Sequence, residues 1–200
     1  MADAESTLDG SYTERLNKFQ GARWKQLLNV QAPYQWKLRK LLGNREVLDV
    51  GCGIGRNLVS LGPGSVGVDH NEHSVKHCRD LGMTAYTPDE FFASKHGGPG
   101  SFNGLLAAHL VEHLDRETAL QVVGSYLPSL RPGSTVVVIT PQELGYASDA
   151  THVRFCGFDE VAELCTTLGL TVRSHESFPF PRAAGKAFKY NEFVTVAQTP

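Results

Sequence analysis

The 200-residue sequence predicts an α/β protein built on a mostly parallel sheet of seven strands, with helices on both faces. Short apolar runs typical of buried strands alternate with segments of helical periodicity along most of the chain. The first of these runs is followed at once by glycines. No helical pattern separates the last two runs, so we expect a hairpin that adds an antiparallel strand at the end.

The composition is that of one ordinary globular domain, with 41% hydrophobic and 20% charged residues. We expect a mobile tail at 1–10, a helical cap at 11–44 and the α/β core at 45–200. No apolar run is long enough to span a bilayer. The acidic first residues lack the apolar region of a secretory signal. We therefore expect a cytoplasmic protein that does not associate with membranes.

The helical cap is cationic. Residues 15–45 hold eight Lys or Arg and no acid, whereas residues 46–200 hold 11 basic and 17 acidic side chains. A basic segment attracts anionic substrates or nucleic acid, but the solvated face of an amphipathic helix has the same composition. Pro33 should divide the cap into two helices. The aromatic residues of the cap either close a binding site or pack in the core, and these are Trp24, Tyr34 and Trp36.

The core segments follow in a regular order. We expect strands at 46–50, 65–69, 83–86, 102–108, 135–140, 170–173 and 192–197. We expect helices at 54–61, 72–80, 89–94, 117–130 and 159–168. The four cysteines form no close pair, which predicts reduced thiols and argues against a zinc ribbon or a disulfide scaffold.

The glycines after the first strand form a G-x-G-x-G pattern at Gly51, Gly53 and Gly55. This spacing differs from the G-x-G-x-x-G of a dinucleotide site, and no Gly-Lys-Ser/Thr follows as in a phosphate-binding Walker loop. Glycine lets a ligand lie against the main chain. Because ligands of open α/β sheets bind at the carboxyl ends of the strands, the turn should face a binding crevice.

Two carboxylates are expected at this crevice. Asp49 precedes the turn, and Asp69 ends the second strand, 18 residues beyond Gly51. They would repel a pyrophosphate but suit a ligand with a cationic centre, such as S-adenosylmethionine. Asp69 is placed to accept hydrogen bonds from ribose hydroxyls, or alternatively to cap the helix that follows it.

Five segments in this order resemble the successive motifs of class I S-adenosylmethionine-dependent methyltransferases, of the type 11/12 kind. They are VLDVGCGIGRNL, GVDHN at 67–71, FNGLLAAHLVEHL at 102–114, LRPGSTVVVITP at 130–141 and THVRF at 151–155. The likeness covers about residues 45–172. It implies a Rossmann-like fold with a reversed terminal hairpin, and S-adenosylmethionine as the cofactor.

The resemblance also implies which residues meet the cofactor. The glycines would approach its methionine portion, Asp69 its ribose and His70 its adenine. After the third strand the sequence departs from the family's Asp-Ala pattern. The implied cofactor-binding residues are Asp49, Gly51, Cys52, Gly53, Asp69, His70, Thr87, Ala108 and His109.

The string HLVEH at 109–113 has the H-x-x-E-H form of inverzincin metalloproteases, but those enzymes carry it on a helix and here a strand leads into it. It also resembles the metal motif of small-RNA 2′-O-methyltransferases at Glu112, His113 and His152, with His109 in place of a first glutamate. The resemblance implies a divalent metal, either magnesium or one that prefers imidazole. Alternatively, Glu112 and His113 only line the pocket and His152 is a buried, hydrogen-bonded residue.

These observations favour a methyltransferase that uses S-adenosylmethionine on a small-molecule hydroxyl, such as that of a sugar or polyol. Such a hydroxyl is a poor nucleophile, so the candidate catalytic residues are Glu112, His113 and His152, acting through a metal or as a base. The segment 178–188 should border the acceptor. An RNA 2′-O-methyltransferase and a non-catalytic sensor of the cofactor are the alternatives. A homodimer is left open.

Overall fold

The computed structural model describes residues 32–43 and 45–200. The expected tail at 1–10 and the first helix of the cap, which carries Trp24, lie outside the described residues. Among the described residues, no helix is long and apolar enough to cross a membrane.

The described chain alternates helices and strands as expected. The helices are α1 (Ala32–Leu42), α2 (Glu72–Asp80), α3 (Pro88–Ala93), α4 (Arg116–Tyr126), α5 (Glu143–Ala147) and α6 (Phe158–Thr167). The strands are β1 (Val47–Val50), β2 (Val66–Val68), β3 (Ala85–Tyr86), β4 (Phe102–Ala108), β5 (Leu130–Pro141), β6 (Thr171–Phe178) and β7 (Glu192–Gln198). Short 3₁₀ helices lie at Leu58–Ser60, Lys95–Gly97, Val111–His113, Leu127–Ser129 and Arg182–Lys186.

The seven strands form one sheet in the order β3-β2-β1-β4-β5-β7-β6. The first five strands pair in parallel, with Leu48 opposite Val66 on one side and Leu105 on the other. β7 runs antiparallel to both β5 and β6. The predicted mostly parallel sheet with a reversed last strand is therefore confirmed. The carboxyl ends of β1, β2 and β4 meet at one edge, where the chain continues into the predicted site.

Both faces of the sheet are buried, which explains the continuous apolar runs of the central strands. Helix α1 covers one face through Leu38 and Leu42, which pack with β4, β5 and β7. On the other face a larger cluster joins α4 and α6 to the sheet. Its fully buried members include Leu48, Val50, Leu105, Ala107, Ala119, Val123, Val136 and Val161.

A buried lysine links helix α1 to β6, the strand at one edge of the sheet. Lys37 is only 6% exposed and forms an ion pair with Glu176 on β6. Its ammonium also lies 5.7 Å from the centre of the Phe178 ring. Helix α1 is thus held by an apolar face and by one charged contact.

The predicted helix at 54–61 is wrong. The chain forms turns there and only the single 3₁₀ turn Leu58–Ser60. Gly53 and Gly55 both have positive φ, and the sequence Gly62-Pro63-Gly64 follows. Too few residues remain between these glycine-rich turns to close several α-helical turns.

Two further boundaries differ from the prediction. Helix α4 ends at Tyr126, and Leu130 already belongs to β5, although we expected the helix to continue to residue 130. Pro128 lies in the intervening 3₁₀ turn, where it cannot donate to a helical ladder. Helix α5 was not predicted, because its five residues are too few to show a periodic pattern.

Candidate cofactor and acceptor site

The glycine turn follows β1 at the carboxyl edge of the sheet. Gly51, Gly53 and Gly55 have φ of 75°, 52° and 80°, a region that residues with a side chain rarely adopt. The backbone N–H groups of Gly51 and Cys52 donate to the Val68 carbonyl at 2.8 and 3.0 Å. The turn is thereby fixed to the end of β2.

Asp69 links the turn to the next helix. Its two carboxylate oxygens accept hydrogen bonds from Gly53 N at 2.8 Å and Asn71 N at 2.9 Å. Helix α2 is capped by Asn71, whose side chain accepts from the N–H groups of its first turn. The alternative role of Asp69 as that cap is therefore wrong. The neighbouring His70 is half exposed, with Nδ1 3.7 Å from Asp69 Oδ1.

Asp49 is fully buried at the base of the turn. Among the described residues, the Asn57 side chain lies near enough to favour the ionised carboxylate, but no hydrogen bond of good geometry reaches either oxygen. Burial raises the pKa of Asp49 to about 7, the nearby Asn57 side chain acts to lower it, and the charge of Asp69 raises it further. A buried carboxylate with so little support is unfavourable, so this group is suited to a cationic ligand.

Three other predicted cofactor residues lie at the expected strand ends. Cys52 packs in an apolar cluster with Val75 and Cys78, so only its main chain is available to a ligand. Thr87 follows β3 and forms a capping box with Glu90. Ala108 is the last residue of β4 and is buried.

His109, directly after β4, adopts an unusual backbone conformation, with φ of 55°. Its Nε2 lies 2.9 Å from Glu192 Oε1 and its Nδ1 lies 3.3 Å from Glu112 Oε1. Desolvation lowers the pKa of His109, but the two carboxylates outweigh that effect and raise the pKa to about 10. The two carboxylates therefore favour the protonated imidazole of His109, whose side chain is 43% exposed.

The three predicted metal and catalytic residues lie together. Glu112, His113 and His152 each place one ligand atom within 4.8 Å of the others. Glu112 and His113 belong to the 3₁₀ turn after β4, and His152 follows α5. The motif thus lies at a strand end and a short turn, without the helix that an inverzincin protease needs.

The surroundings of this triad leave its ligand atoms free. The Thr151 carbonyl lies 3.2 Å from His113 Nδ1, and the Tyr146 carbonyl lies 2.7 Å from His152 Nδ1. Since a carbonyl only accepts, each Nδ1 carries a proton, and in a neutral imidazole of this tautomer Nε2 is the atom with a lone pair. The fully buried Glu112 faces His109, whose Nδ1 lies 3.3 Å from its Oε1, and among the described residues neither oxygen has another hydrogen-bond partner.

This donor set fits a divalent cation. Burial lowers the pKa of His113, and the neighbouring His152 lowers it further against the raising effect of Glu112. An imidazole with its second nitrogen held by a carbonyl, beside a buried carboxylate, is the usual preparation of a metal ligand, and here the carboxylate of Glu112 also faces His109. The alternative in which the three residues only line a pocket leaves the buried Glu112 without a compensating charge other than His109.

Sequence reasoning missed Glu192, the partner of His109. It begins β7, 80 residues after Glu112, and no motif marks it. Tyr34 reaches the same region from α1. Its hydroxyl is buried and has no hydrogen-bond partner among residues 32–43 and 45–200, and burial together with Glu192, Asp49 and Glu112 raises the Tyr34 pKa. Trp36 is 57% exposed, so the two aromatic residues of α1 have different environments.

No family model matches the sequence, and no curated protein is similar enough to match it. Solved structures do match. A SAM-dependent methyltransferase from Archaeoglobus fulgidus is 21% identical, with 94% of this chain and 99% of that chain covered and a TM-score of 0.63. Magnesium protoporphyrin IX methyltransferase from Synechocystis PCC 6803, with bound SAH, is 13% identical over 98% and 97% of the two chains, with a TM-score of 0.69.

A third similar structure, the [4+2]-cyclase SpnF, is 16% identical over 84% of this chain and 80% of that chain, with a TM-score of 0.61. A [4+2]-cyclase carries out a reaction other than methyl transfer, so the shared architecture does not by itself fix the reaction. What the likenesses establish is the fold. This chain has the Rossmann-like fold of the class I S-adenosylmethionine-dependent methyltransferases.

Proposed function

We propose that the protein is an S-adenosylmethionine-dependent methyltransferase that acts on a small-molecule hydroxyl, such as that of a sugar or polyol, with help from a divalent metal. The observation that carries the proposal is the meeting of two half-sites at one sheet edge. The glycine turn with Asp49 and Asp69 forms the first, and the triad of Glu112, His113 and His152 forms the second.

The first half-site suits the methyl donor. Main chain without side chains at Gly51 and Gly53 allows close approach, and the buried Asp49 provides a negative charge for a sulfonium or ammonium group. Asp69 has both oxygens occupied by the main chain, which fixes its direction, and a carboxylate oxygen still has a lone pair for a ribose hydroxyl. Structures of similar fold contain SAM or SAH.

The second half-site suits a hydroxyl acceptor. Methyl transfer is an in-line displacement, so holding the two reactants in line supplies much of the rate. A sugar hydroxyl must also lose its proton, and the imidazole of His113 or His152 is suited to accept it. A divalent cation held by Glu112, His113 and His152 would add Lewis acidity that favours loss of that proton.

The test measures donor binding and methyl transfer separately. We expect calorimetry to detect S-adenosylmethionine and its demethylated product S-adenosylhomocysteine, and labelled donor to methylate a component of a cell extract or an acceptor panel. His113→Ala and His152→Ala should each reduce turnover by at least 100-fold and leave donor affinity within twofold. Binding of NAD in place of both adenosyl compounds would overturn the proposal.

The same experiment decides the alternatives. Donor binding without transfer to any acceptor would favour a sensor. A requirement for RNA, with affinity falling steeply as salt rises, would favour an RNA methyltransferase that uses the basic segment at 15–45. If turnover survives treatment with a chelator and depends only on the histidines, the metal is struck from the proposal and the methyltransferase activity is kept.

A further inference from the structure

The loop between β6 and β7 carries three exposed aromatic side chains. Phe180, Phe188 and Tyr190 are 49%, 37% and 57% exposed. Their rings meet edge to face, with centroids 5.2 Å apart for the first pair and 5.7 Å for the second. We refer to these three residues as the aromatic patch. Contiguous exposed aromatic surface of this kind marks binding sites more often than it occurs without a partner.

The aromatic patch stands on a fixed backbone. The buried Asn191 accepts from Phe180 N at 2.9 Å and donates to Gln142 Oε1 at 2.9 Å, so its side chain holds the loop to the end of β5. Gly185 lies so close to Gln142 that a Cβ there would overlap the amide. Because the loop is already fixed, a ligand that binds to these rings loses little binding free energy to ordering of the loop.

The aromatic patch adjoins the acceptor side of the proposed site. Glu192, two residues after Tyr190, binds His109. A Cβ built on Gly145 would lie 2.7 Å from the Lys189 carbonyl, so the loop touches α5. The next residue of α5, Tyr146, stacks on His152 with ring centres 5.1 Å apart. The β6–β7 loop and His152 therefore both contact α5, on the same side of the proposed acceptor site.

The loop also carries free positive charge. Arg182 donates to Glu143 at 2.8 Å and is neutralised by it. Lys186 and Lys189 are exposed and have no ion-pair partner within the described part of the chain. Lys186 is near enough to Glu143 to help lower the pKa of that carboxyl, and Lys189 is the other exposed lysine of the loop. Two exposed ammonium groups on the loop that carries the exposed rings complement a ligand that is both flat and anionic.

We propose that the aromatic patch, with Lys186 and Lys189, is an acceptor subsite that binds a planar aromatic small molecule carrying a phosphate or carboxylate group. The inference rests on the proposed methyltransferase function and narrows its acceptor. The ring of the acceptor stacks on the aromatic patch, the lysines pair with its anionic group, and its hydroxyl points toward His113 and His152.

The test uses four probes that share a ribose, so that only the ring and the charge vary. Uridine 5′-monophosphate has both, uridine has the ring, ribose 5-phosphate has the charge, and ribose has neither. Their affinities are measured by calorimetry on the full chain, with and without saturating S-adenosylhomocysteine. We expect the monophosphate to bind most tightly and to lose about tenfold when either feature is removed. A second pair, 4-hydroxybenzoate and 4-hydroxybenzyl alcohol, repeats the comparison with a carboxylate.

Matched variants assign the effects to the loop. Tyr190→Ala should weaken the monophosphate and uridine by about tenfold and leave ribose 5-phosphate unchanged, whereas Tyr190→Phe keeps the ring and should behave as the parent. Lys189→Gln should weaken both phosphates and spare uridine, and Lys189→Arg should not. These residues are exposed, and melting temperature checks that each variant is folded.

Several results would overturn the inference. One is equal affinity within both probe series, and another is probe affinity that Tyr190→Ala and Lys189→Gln leave unchanged. A lower melting temperature without a change in affinity would show that the rings stabilise the fold and do not bind the ligand. A uridylate oligomer that binds 100-fold more tightly than the monophosphate would assign the loop to RNA. Absence of S-adenosylhomocysteine binding would refute the proposed function, whereas the probe series measured without it still tests the subsite.

Discussion

Asp49 is the residue with the least ordinary environment in the described chain. A fully buried carboxylate that only the Asn57 side chain supports loses its hydration with little compensation, so the fold favours its neutral form. Its pKa is raised from 3.8 to about 7. The folded state therefore holds a proton that the unfolded chain has lost, and Asp49 makes the free energy of unfolding fall as pH rises from about 4 to about 7.

This ionisation should appear in donor binding. If the cationic part of S-adenosylmethionine lies at Asp49, binding at pH 6 should release close to one proton, and binding at pH 8 almost none. Affinity should rise by about tenfold from pH 6 to pH 8, since the competing proton is lost over that range. Calorimetry in two buffers of different ionisation enthalpy measures the proton release directly.

Asp49→Asn is the matched control because it keeps the shape of the side chain and cannot ionise. It should bind the donor at least tenfold more weakly at pH 8 and show no proton release at pH 6. Proton release that persists in Asp49→Asn would locate the titrating group elsewhere in the site.

At the residue scale, spacing along the sequence predicted the positions of those site residues that depend only on the strand end beside them. Asp49, Gly51 and Asp69 stand at fixed distances from strand ends, and the structure brings them together. Glu192 was out of reach, and the sequence left the role of Tyr34 open between a binding site and the core, because their places depend on how β7 and α1 pack on the sheet. No pattern in the neighbouring sequence encodes those contacts.

The glycine turn is the element whose geometry tolerates the least change. Gly51→Ala adds a Cβ at φ of 75°, 2.9 Å from Leu110 Cδ1. We expect a loss of about 2–3 kcal/mol in unfolding free energy, from backbone strain and crowding together. Donor affinity should fall by more than tenfold, because the new methyl group and the shifted turn block the approach of the ligand. Denaturant unfolding and calorimetry measure the two effects.

Gly82→Ala provides the control for strain alone. Gly82 has φ of 78°, has nothing within 4 Å of an added Cβ, and precedes β3 at the opposite edge of the sheet. It should lose about 1–2 kcal/mol and bind the donor normally. The double variant Gly51→Ala, Leu110→Ala should lose less unfolding free energy than the sum of the losses of the two single variants, because the shorter side chain at position 110 crowds the added Cβ less. Equal donor binding by Gly51→Ala and Gly82→Ala would contradict a role for the turn in ligand approach.

Elements with strong patterns were predicted well, and the failure at 54–61 has a local cause. The apolar residues Ile54, Leu58 and Leu61 have helical spacing, but glycines with positive φ occupy the start of the segment. The same glycines that indicated a binding turn also removed the first turn of the expected helix. Periodicity describes which face is apolar, and backbone chemistry decides whether a helix can form.

At the scale of the whole molecule, one charged contact connects parts of the chain that are distant in sequence. Lys37 and Glu176 differ greatly in burial, with side chains 8% and 43% exposed. Glu176→Gln should therefore cost about 2–3 kcal/mol, because it leaves a buried ammonium without its carboxylate. Lys37→Met should cost less than about 1 kcal/mol, because the remaining carboxylate reaches water and methionine fills the apolar space. Urea unfolding of each variant measures the difference.

The double variant Lys37→Met, Glu176→Gln completes the comparison. It should be at least as stable as Glu176→Gln alone, because no unpaired buried charge remains. Equal losses for the two single variants would show that the pair acts as an ordinary surface contact.

The strand order also concerns how the chain is made. β7 follows every other strand along the sequence, yet it lies between β5 and β6. While a ribosome is still adding residues before Glu192, β6 has no neighbour to pair with and β5 keeps an open, apolar edge. The nascent protein would therefore be most vulnerable to aggregation just before synthesis of this strand ends. Pairing of β7 would complete the seven-stranded sheet and form the Glu192 contact with His109 in the same event.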